Sequence, residues 1–211
     1  MSQINTDETV DSVGTFKIIQ KKKGYRWTED SIHLAEFSLP LSKNDTVLDI
    51  GTGSGIIPLI LAYKSPVKNI VGIEIQETLA DLALRNVKIN NLSKRIKILK
   101  KDYRALKDVF KQKRFSVILS NPPYIPIKSG RVCPDKERAI ARQEIFGALK
   151  ELAHISKWLL KSGGRFLCIY PISRLKEIIS AFDKEGLEIT RIKFVNSGEK
   201  VKLFLVEARK R

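Results

Sequence analysis

The sequence Asn121-Pro122-Pro123-Tyr124 could carry out chemistry, because its groups are suited to holding a planar amine. The Asn121 side-chain oxygen and the Pro122 carbonyl can accept hydrogen bonds from N–H groups, and the prolines stiffen the chain around them. Acceptors aimed at such a nitrogen would stabilise the positive charge that develops on it during attack. Tyr124 offers a flat face on which a base could stack. We therefore assign catalytic roles to all four residues, although Asn-Pro-Pro can also simply end a strand.

A glycine-rich loop is the second candidate site. It follows the apolar sequence TVLDI and has the spacing G-x-G-x-G at Gly51, Gly53 and Gly55. Glycines let the chain turn tightly and let a ligand approach main-chain atoms. The spacing differs from the G-x-G-x-x-G of dinucleotide-binding loops, and the lysine of a phosphate-binding loop is missing. On its own the loop could be a plain turn between a strand and a helix. The residues that follow the neighbouring strands are therefore needed to decide whether it binds a ligand.

Acidic residues provide that context. Glu74 ends the next predicted strand, 19 residues beyond Gly55, where a carboxylate is placed to bind ribose hydroxyls. Asp102 follows the third predicted strand and could accept a hydrogen bond from an adenine amino group. Ligands of open α/β sheets bind at the carboxyl ends of the strands, where Asp49 also lies. The loop and the acids together therefore predict a nucleoside-containing cofactor.

These residues need a scaffold that brings several strand ends together. Apolar runs alternate with longer amphipathic segments, which is typical of a parallel sheet covered by helices on both faces. A short strand is predicted at 16–20, and the strands of the alternating pattern are predicted at 46–50, 69–74, 96–100, 115–120, 165–170, 187–195 and 201–209. The predicted helices are 56–63, 77–90, 104–110, 139–160 and 174–184. No helix separates the last two strands, so we expect an α/β fold with a mostly parallel sheet and an antiparallel last strand.

The sequences LDIGTGSG, VGIEIQ and KKDY together resemble motifs of the S-adenosylmethionine-dependent methyltransferases, over roughly residues 45–210. The resemblance implies S-adenosyl-L-methionine as cofactor and a Rossmann-like sheet of seven strands in the order 3-2-1-4-5-7-6. Asp49 would then orient the methionine moiety, Glu74 would hold the ribose and Asp102 the adenine. The full set of implied cofactor-binding residues is Asp49, Gly51, Gly53, Gly55, Glu74, Asp102 and Asn121.

The Asn-Pro-Pro-Tyr sequence is similar to that of amino-methyltransferases acting on adenine N6, cytosine N4 or glutamine N5. The methyl group of such a reaction already sits on a sulfonium, so a correctly held amine gains chiefly from proximity. No side-chain base has to act first, because the amine becomes acidic only after the attack. His33 and His154 lie on predicted helices and are expected to be packed or surface residues.

The segment FKIIQKKKGYRWTEDSIHLAEF and the sequence ARQE at 141–144 resemble the bacterial tRNA (adenine-N6)-methyltransferases that modify valine tRNA next to the anticodon. The resemblance implies methyl transfer to the exocyclic N6 of the adenine just 3′ of that anticodon. The sequence Lys21-Lys22-Lys23 is more basic than the family pattern. Three alternatives stay open: a glutamine N5-methyltransferase acting on a release factor or ribosomal protein, an rRNA amino-methyltransferase, and a non-catalytic RNA-binding module.

The charge of the chain favours a nucleic acid partner. Lys and Arg number 39 against 23 Asp and Glu, a net charge of +16. Such an excess attracts polyanions and binds phosphates in a salt-dependent way. The residues we expect to contact RNA lie before the N-terminal helix and beyond Tyr124: Lys21, Lys22, Lys23, Arg26, Lys128 and Arg131.

Other features narrow the class of protein. Cys133 and Cys168 are too few for a disulfide framework, and with the two histidines they show no metal-ligand spacing. The polar N-terminus does not read as a signal peptide, and no apolar run reaches the roughly 20 residues of a membrane helix. We expect a cytoplasmic protein with no metal. Residues 1–44 would form a substrate-side extension with a loose tail at 1–15 and a short helix, and 45–211 the methyltransferase domain.

Overall fold

The computed structural model describes residues 4–24, 26–122, 149–197 and 200–211. A two-stranded antiparallel hairpin lies near the N-terminus and is followed by a seven-stranded sheet. The hairpin consists of β1 (Glu8–Val13) and β2 (Phe16–Lys21). The strands of the large sheet are β3 (Thr46–Ile50), β4 (Asn69–Glu74), β5 (Ile96–Lys100), β6 (Phe115–Ser120), β7 (Leu160–Pro171), β8 (Leu187–Ser197) and β9 (Lys200–Lys210).

The large sheet has the strand order β5-β4-β3-β6-β7-β9-β8. Counted from β3 as the first strand this is 3-2-1-4-5-7-6, so the predicted order is confirmed. The first five strands in that order are parallel, and β9 runs antiparallel to both of its neighbours. Every residue of β3 is buried, as expected for a central strand covered on both faces.

Helices cover both faces of the sheet, and the alternating side chains of β7 show how. Leu167 and Ile169 belong to the apolar core shared with α1, α2 and α3, whereas Phe166, Cys168 and Tyr170 belong to the core shared with α4 and α5. The helices are α1 (Glu29–Phe37), α2 (Ile56–Lys64), α3 (Glu77–Ile89), α4 (Leu149–Leu159) and α5 (Leu175–Glu185). Helix α1, from the N-terminal extension, packs beside α2 and against β7 and β9.

Several predicted elements differ in their bounds or type. The predicted helix at 104–110 is a short 3-10 helix, Tyr103–Asp108, whose N-cap is the Asp102 carboxylate. Strand β7 begins at Leu160 instead of 165, because the Gly163-Gly164 sequence that we expected to end a helix forms an irregularity within the strand pairing. Helix α4 ends at Leu159, and the predicted helical residues 139–148 lie outside the described residues.

The loose tail predicted for residues 1–15 is wrong for β1, which pairs with all of β2. Its sequence ETVDSV lacks an apolar run, and the one residue of this strand that is buried is Glu8. Arg85 of α3 donates two hydrogen bonds to the Glu8 carboxylate, at 2.8 and 2.5 Å. Hydrogen bonding to Arg85 lowers the pKa of Glu8 to about 2, so the ion pair keeps its charge at neutral pH.

The side chain of Asn86 fastens this hairpin to the glycine loop. Asn86 lies on α3 and is fully buried. Its Oδ1 accepts from the Ile19 N–H at 2.6 Å, and its Nδ2 donates to the Ile19 carbonyl at 3.0 Å and to the Ser54 carbonyl at 2.9 Å. One amide therefore satisfies polar main-chain groups of β2 and of the loop after β3.

We expect Asn86→Ala to lower the free energy of unfolding by about 2–4 kcal/mol, because it leaves buried main-chain groups of Ile19 and Ser54 without partners. Urea denaturation followed by circular dichroism measures the change. Asn90→Ala is the matched control: Asn90 makes the same type of bond pair to Lys17 of β2, but at an exposed position. Water can replace its bonds, so we expect a loss below about 1 kcal/mol. Equal losses in the two variants would contradict this role for Asn86.

Candidate active site

The candidate site is built at the carboxyl edge of the parallel strands. Ile50 of β3 pairs with Ile73 of β4 on one side and with Ser120 of β6 on the other. The residues that follow these pairs must leave the sheet at the same level, with neighbouring strands about 4.8 Å apart. The pairing thus brings Glu74 and Asn121 to either side of the glycine loop.

The glycine loop has a backbone that only glycine adopts readily. Gly51, Gly53 and Gly55 have φ values of +76°, +57° and +84°. A Cβ at Gly55 would also lie 3.3 Å from the Ala83 Cβ on α3, so the loop is packed closely against that helix. The main-chain N–H groups of Gly51 and Thr52 both donate to the Ile73 carbonyl at 2.9 Å, which ties the loop to the end of β4.

Glu74 joins the glycine loop to the next loop along the sheet. Its Oε2 accepts from the Gly53 N–H at 2.9 Å, and its Oε1 accepts from the Gln76 N–H at 2.9 Å. The residue is only 5% exposed. Burial raises the pKa of Glu74, and this effect outweighs the main-chain hydrogen bonds that lower it. The carboxylate is therefore held in place but poorly solvated.

Asp49 is the least satisfied polar residue of the site. It is fully buried, and neither carboxylate oxygen has a hydrogen-bond partner among the described residues. Burial raises the pKa of Asp49 to about 7, and the charge of Glu74 adds to this while the Thr52 side chain acts in the opposite direction. The buried hydroxyls of Thr52 and Ser54 also lack partners in the described part of the chain. These groups fit a polar ligand that brings hydrogen-bond donors.

Asp102 is engaged by its neighbour. Its side chain accepts from the Arg104 main-chain N–H at 2.9 Å, and the Arg104 guanidinium donates to both oxygens. Burial raises the pKa of Asp102, but the Arg104 bonds and charge prevail and the pKa lies below its ordinary value. Asp102 is therefore an ionised acceptor, already bound on one side.

Asn121 follows β6 directly and lies half-buried. The preceding Ser120 donates its hydroxyl to the Ile50 carbonyl at 2.9 Å, which fixes the end of β6 to the end of β3. The Asn121 Nδ2 donates to the Ser31 Oγ of α1 at 3.1 Å. Pro122 is half-buried beside it, whereas Pro123 and Tyr124 lie outside the described residues.

The basic residues predicted to contact RNA are partly used within the hairpin. Lys21 forms an ion pair with Asp7 at 2.7 Å, and Arg26 forms one with Asp11 at 2.9 Å. The Lys22 ammonium donates to the Thr6 carbonyl, while exposed Lys23 has no partner among residues 4–24, 26–122, 149–197 and 200–211. The other two predicted contacts, Lys128 and Arg131, lie outside the described residues.

The remaining candidate residues do not form a reactive site. Cys168 is fully buried, and burial raises the pKa of its thiol; Cys133 lies outside the described part of the chain. His154 contacts Glu185 and Lys107 at the surface. No group of three His, Cys, Asp or Glu within the described residues could hold a metal ion. The helices that the structure describes include none that is long and apolar enough to span a membrane.

Two contributing residues, Asn86 and Ser31, were missed by sequence reasoning. Both are polar residues on otherwise apolar helix faces, and that pattern is the signal that could have identified them. On α1 the buried stripe is Ser31, Leu34, Ala35 and Ser38, with the helical spacing i, i+3, i+4, i+7. A buried polar residue in such a stripe needs a hydrogen-bond partner, either in its own helix, as Ser38 has in the Ala35 carbonyl, or across the interface, as Ser31 has in Asn121.

The sequence model of the methyltransferase small domain family matches residues 32–171. Among curated proteins, a tRNA1(Val) (adenine(37)-N6)-methyltransferase of Porphyromonas gingivalis is 38% identical over 62% of this chain and 51% of its own length. A protein of the same name from Pedobacter heparinus is 29% identical over 87% of this chain and 76% of its own length. The chain spans only 51–64% of the length of the first four such relatives.

Solved structures share the fold. A predicted O-methyltransferase of Agrobacterium tumefaciens matches with a TM-score of 0.66 at 21% identity, over 86% of this chain and 80% of its own. The geranyl diphosphate C-methyltransferase of Streptomyces coelicolor A3(2), in complex with Mg2+, geranyl diphosphate and S-adenosyl-L-homocysteine, matches with a TM-score of 0.65 at 12% identity, over 86% and 78%. Strand order, glycine loop and the match over most of the chain agree: this protein belongs to the methyltransferase small domain family.

Proposed function

We propose that the protein transfers a methyl group from S-adenosyl-L-methionine to the exocyclic N6 amine of the adenine just 3′ of the anticodon in valine tRNA. The names of the relatives support this substrate. The observation that carries the proposal is the position of Asn121, whose amide lies at the strand edge that also holds Glu74 and the glycine loop. An acceptor for an amine therefore lies beside a cradle for a cofactor. A tRNA substrate would place the protein in the cytoplasm.

The cofactor assignment uses the three acidic residues of the site, of which only Asp49 has no hydrogen-bond partner among the described residues. The Asp49 carboxylate would accept from the methionine ammonium, and Glu74 would accept from the ribose hydroxyls. Asp102 would accept from the adenine amino group, and Arg104 keeps it ionised for this. When bound, S-adenosyl-L-methionine supplies a methyl group on a positively charged sulfur that needs no further activation.

The residues after β6 would act on the target amine. The lone pair of an adenine N6 is delocalised into the ring, so the nitrogen is a poor nucleophile. The Asn121 Oδ1 and the Pro122 carbonyl would accept hydrogen bonds from its N–H groups. These hydrogen bonds would stabilise the positive charge that develops on the nitrogen during attack. Pro122 has no main-chain N–H and a fixed φ, so it offers an acceptor without a competing donor. Tyr124 would stack on the base.

The RNA would reach this edge across the tip of the β8–β9 hairpin. Strand β7 ends at Pro171, paired with Leu203, and the hairpin extends beyond it on the side of the sheet where Asn121 lies. Phe194 lies level with Tyr170 of β7 and is 51% exposed, and Lys200 and Lys202, further along the hairpin, are exposed without partners among the described residues. Cations beside an exposed aromatic ring are suited to a single strand, because phosphates and base faces are both contacted. The extension, residues 1–44, would complete the substrate side.

The substrate proposal is tested by supplying labelled methyl donor with tRNA, rRNA or release factor in separate reactions. We expect label in tRNA, and nucleoside mass spectrometry of the digested product should identify N6-methyladenosine. The same nucleoside should be missing from valine tRNA of cells that lack the gene. Label in the release factor or rRNA alone, or retention of RNA without transfer, would contradict the proposal.

We expect Asn121→Ala to lower the rate of methyl transfer by about 100-fold or more, because the acceptor for the developing charge is removed. Cofactor affinity should change little, since Asn121 serves the amine. Single-turnover rates and calorimetric titration with S-adenosyl-L-homocysteine measure the two quantities. Glu74→Ala is the contrasting variant and should lose cofactor affinity. An Asn121→Ala variant that loses as much cofactor affinity as Glu74→Ala would show that its role is misassigned.

Cofactor affinity should depend on pH through Asp49. Only the ionised carboxylate accepts well from the methionine ammonium, and its pKa of about 7 means that this form is lost as the pH falls below 7. We expect affinity for S-adenosyl-L-homocysteine at pH 6 to be about tenfold weaker than at pH 8. The Asp49→Asn variant should bind S-adenosyl-L-homocysteine weakly and with much less pH dependence. This result would show that the pH dependence comes from titration of Asp49 and not of nearby Glu74. Equal wild-type affinity at both pH values would contradict the assignment.

Replacement of Lys200 and Lys202 by Ala should weaken RNA binding and reduce the slope of log affinity against log salt by about 1–2, because two phosphate contacts are lost. Filter binding over a range of salt concentrations measures both. The double variant Lys94→Ala/Lys97→Ala removes the same charge from a pocket at the amino ends of the strands and should leave the slope nearly unchanged. Equal effects of the two double variants would show that binding follows net charge and not the hairpin tip.

A further inference from the structure

Two asparagine side chains of α3 cover the edge of β2 that faces away from β1. The main-chain N–H and carbonyl of Ile19 both bond to Asn86, and those of Lys17 both bond to Asn90 at the C-cap of the helix. Four helix residues rise about 6 Å and two strand residues about 6.6 Å, so the two spacings agree. Helix α3 therefore binds the hairpin through the main-chain groups that a neighbouring strand would use.

Asn86 differs from Asn90 in what its second N–H group contacts. The second Nδ2 bond of Asn90 returns to the Asn86 carbonyl of the same helix, whereas that of Asn86 reaches the Ser54 carbonyl in the glycine loop at 2.9 Å. Only a nitrogen can donate to two carbonyls, and only an oxygen can accept from the Ile19 N–H, so these bonds define one orientation of the Asn86 amide. The residue is fully buried, so water does not replace any of the three bonds.

The second half of the glycine loop rests on this face of α3. Hydrogen bonds to β4 and to Glu74 hold the first half of the loop. In the second half, the Ser54 carbonyl accepts from Asn86, and Gly55 packs against Ala83, which lies about one turn earlier on α3. Asn86 therefore fixes the main chain of a residue whose buried hydroxyl has no partner in the described part of the chain and fits a polar ligand.

The hairpin is docked on α3 by contacts that include none of the candidate cofactor-binding residues. Ile19 packs against leucines of α3, and the buried Glu8 carboxylate accepts two hydrogen bonds from Arg85, the residue before Asn86. Undocking of the hairpin would remove two of the three partners of the Asn86 amide and would admit water beside it. The donor to the Ser54 carbonyl would then no longer be held in one orientation.

We propose that Asn86 is a positioning residue that couples docking of the N-terminal hairpin to cofactor binding at the glycine loop. The hairpin acts on the cofactor site through the Asn86 amide and the Ser54 carbonyl. Because a coupling between two binding equilibria is reciprocal, bound cofactor also strengthens the docking of the hairpin. This inference goes beyond the proposed function, since it needs the cofactor but no particular methyl acceptor.

Glu8→Ala tests the coupling from the far side of the hairpin. The Glu8 carboxylate is bound by Arg85 and Asn5, so its removal weakens docking without changing a residue of the glycine loop. We expect calorimetric titration to show about five- to tenfold weaker binding of S-adenosyl-L-homocysteine. Asp7→Ala is the matched control, because it removes the same charge from the neighbouring residue, which is 60% exposed and pairs with Lys21. This control should bind as the wild type does.

A double-mutant cycle decides whether the effect passes through Asn86. Asn86→Ala alone should weaken binding of S-adenosyl-L-homocysteine about tenfold, and Glu8→Ala should cause no further loss in that background, because the coupling amide is gone. Losses that multiply would overturn the proposal, and so would wild-type affinity in Glu8→Ala or an equal loss in Asp7→Ala. If Asn86→Ala does not fold, Asn86→Ser enters the same cycle.

Ile178→Ala separates the coupling from a general loss of stability. Ile178 of α5 is fully buried in the core on the opposite face of the sheet from α3, so its truncation destabilises the fold without touching the hairpin. Affinity for S-adenosyl-L-homocysteine should stay at the wild-type value in this variant, and a loss equal to that of Glu8→Ala would overturn the proposal. All titrations use the full chain without RNA or protein substrate, so an error in the proposed methyl acceptor would leave their results unchanged.

Discussion

The parallel pairing of β4, β3 and β6 is the constraint on which the site depends. Because Ile50 is level with both Ile73 and Ser120, the three strands release their chains at one edge. Hydrogen bonds from Gly53 to Glu74 and from Ser120 to Ile50 then fix the three loops to one another. A shift of one residue in either pairing would exchange the faces of the strand and separate the glycine loop and Glu74 from Asn121.

The same edge contains buried carboxylates whose charge is unfavourable, and a ligand with hydrogen-bond donors would stabilise them. Asp49 is buried without a partner among the described residues, and Glu74 nearby has a raised pKa. A buried carboxylate without donors is unfavourable for the fold, and such groups are typical of sites prepared for a ligand. The N-terminal extension supports this arrangement from outside: Asn86 anchors the hairpin to the glycine loop, and Ser31 contacts the Asn121 amide.

The sequence was sufficient to predict the bounds of strands that have strong local signals. The bounds of β3, β4, β5 and β6 match the predicted ones, because β3, β4 and β6 are mainly apolar runs and β5, IKILK, alternates apolar residues with lysine. Strand β1 was missed because its stabilising partner, Arg85, lies 77 residues away. Lys21 and Arg26 were predicted to contact RNA from their charge, and their ion pairs with Asp7 and Asp11 could not be predicted, because these residues become neighbours only when the hairpin forms. Pairing between distant segments is what composition and spacing cannot supply.

In the proposed reaction, the acceptors after β6 hold a planar amine opposite the methyl donor. A crystal structure of the protein with S-adenosyl-L-homocysteine and an anticodon stem-loop of valine tRNA would show this arrangement. We expect an extruded adenine whose N6 lies about 3 Å from the Asn121 Oδ1, with the sulfur directed at that nitrogen. A sulfur that points away from Asn121, or a base bound elsewhere with no room for a ring between the two, would contradict it.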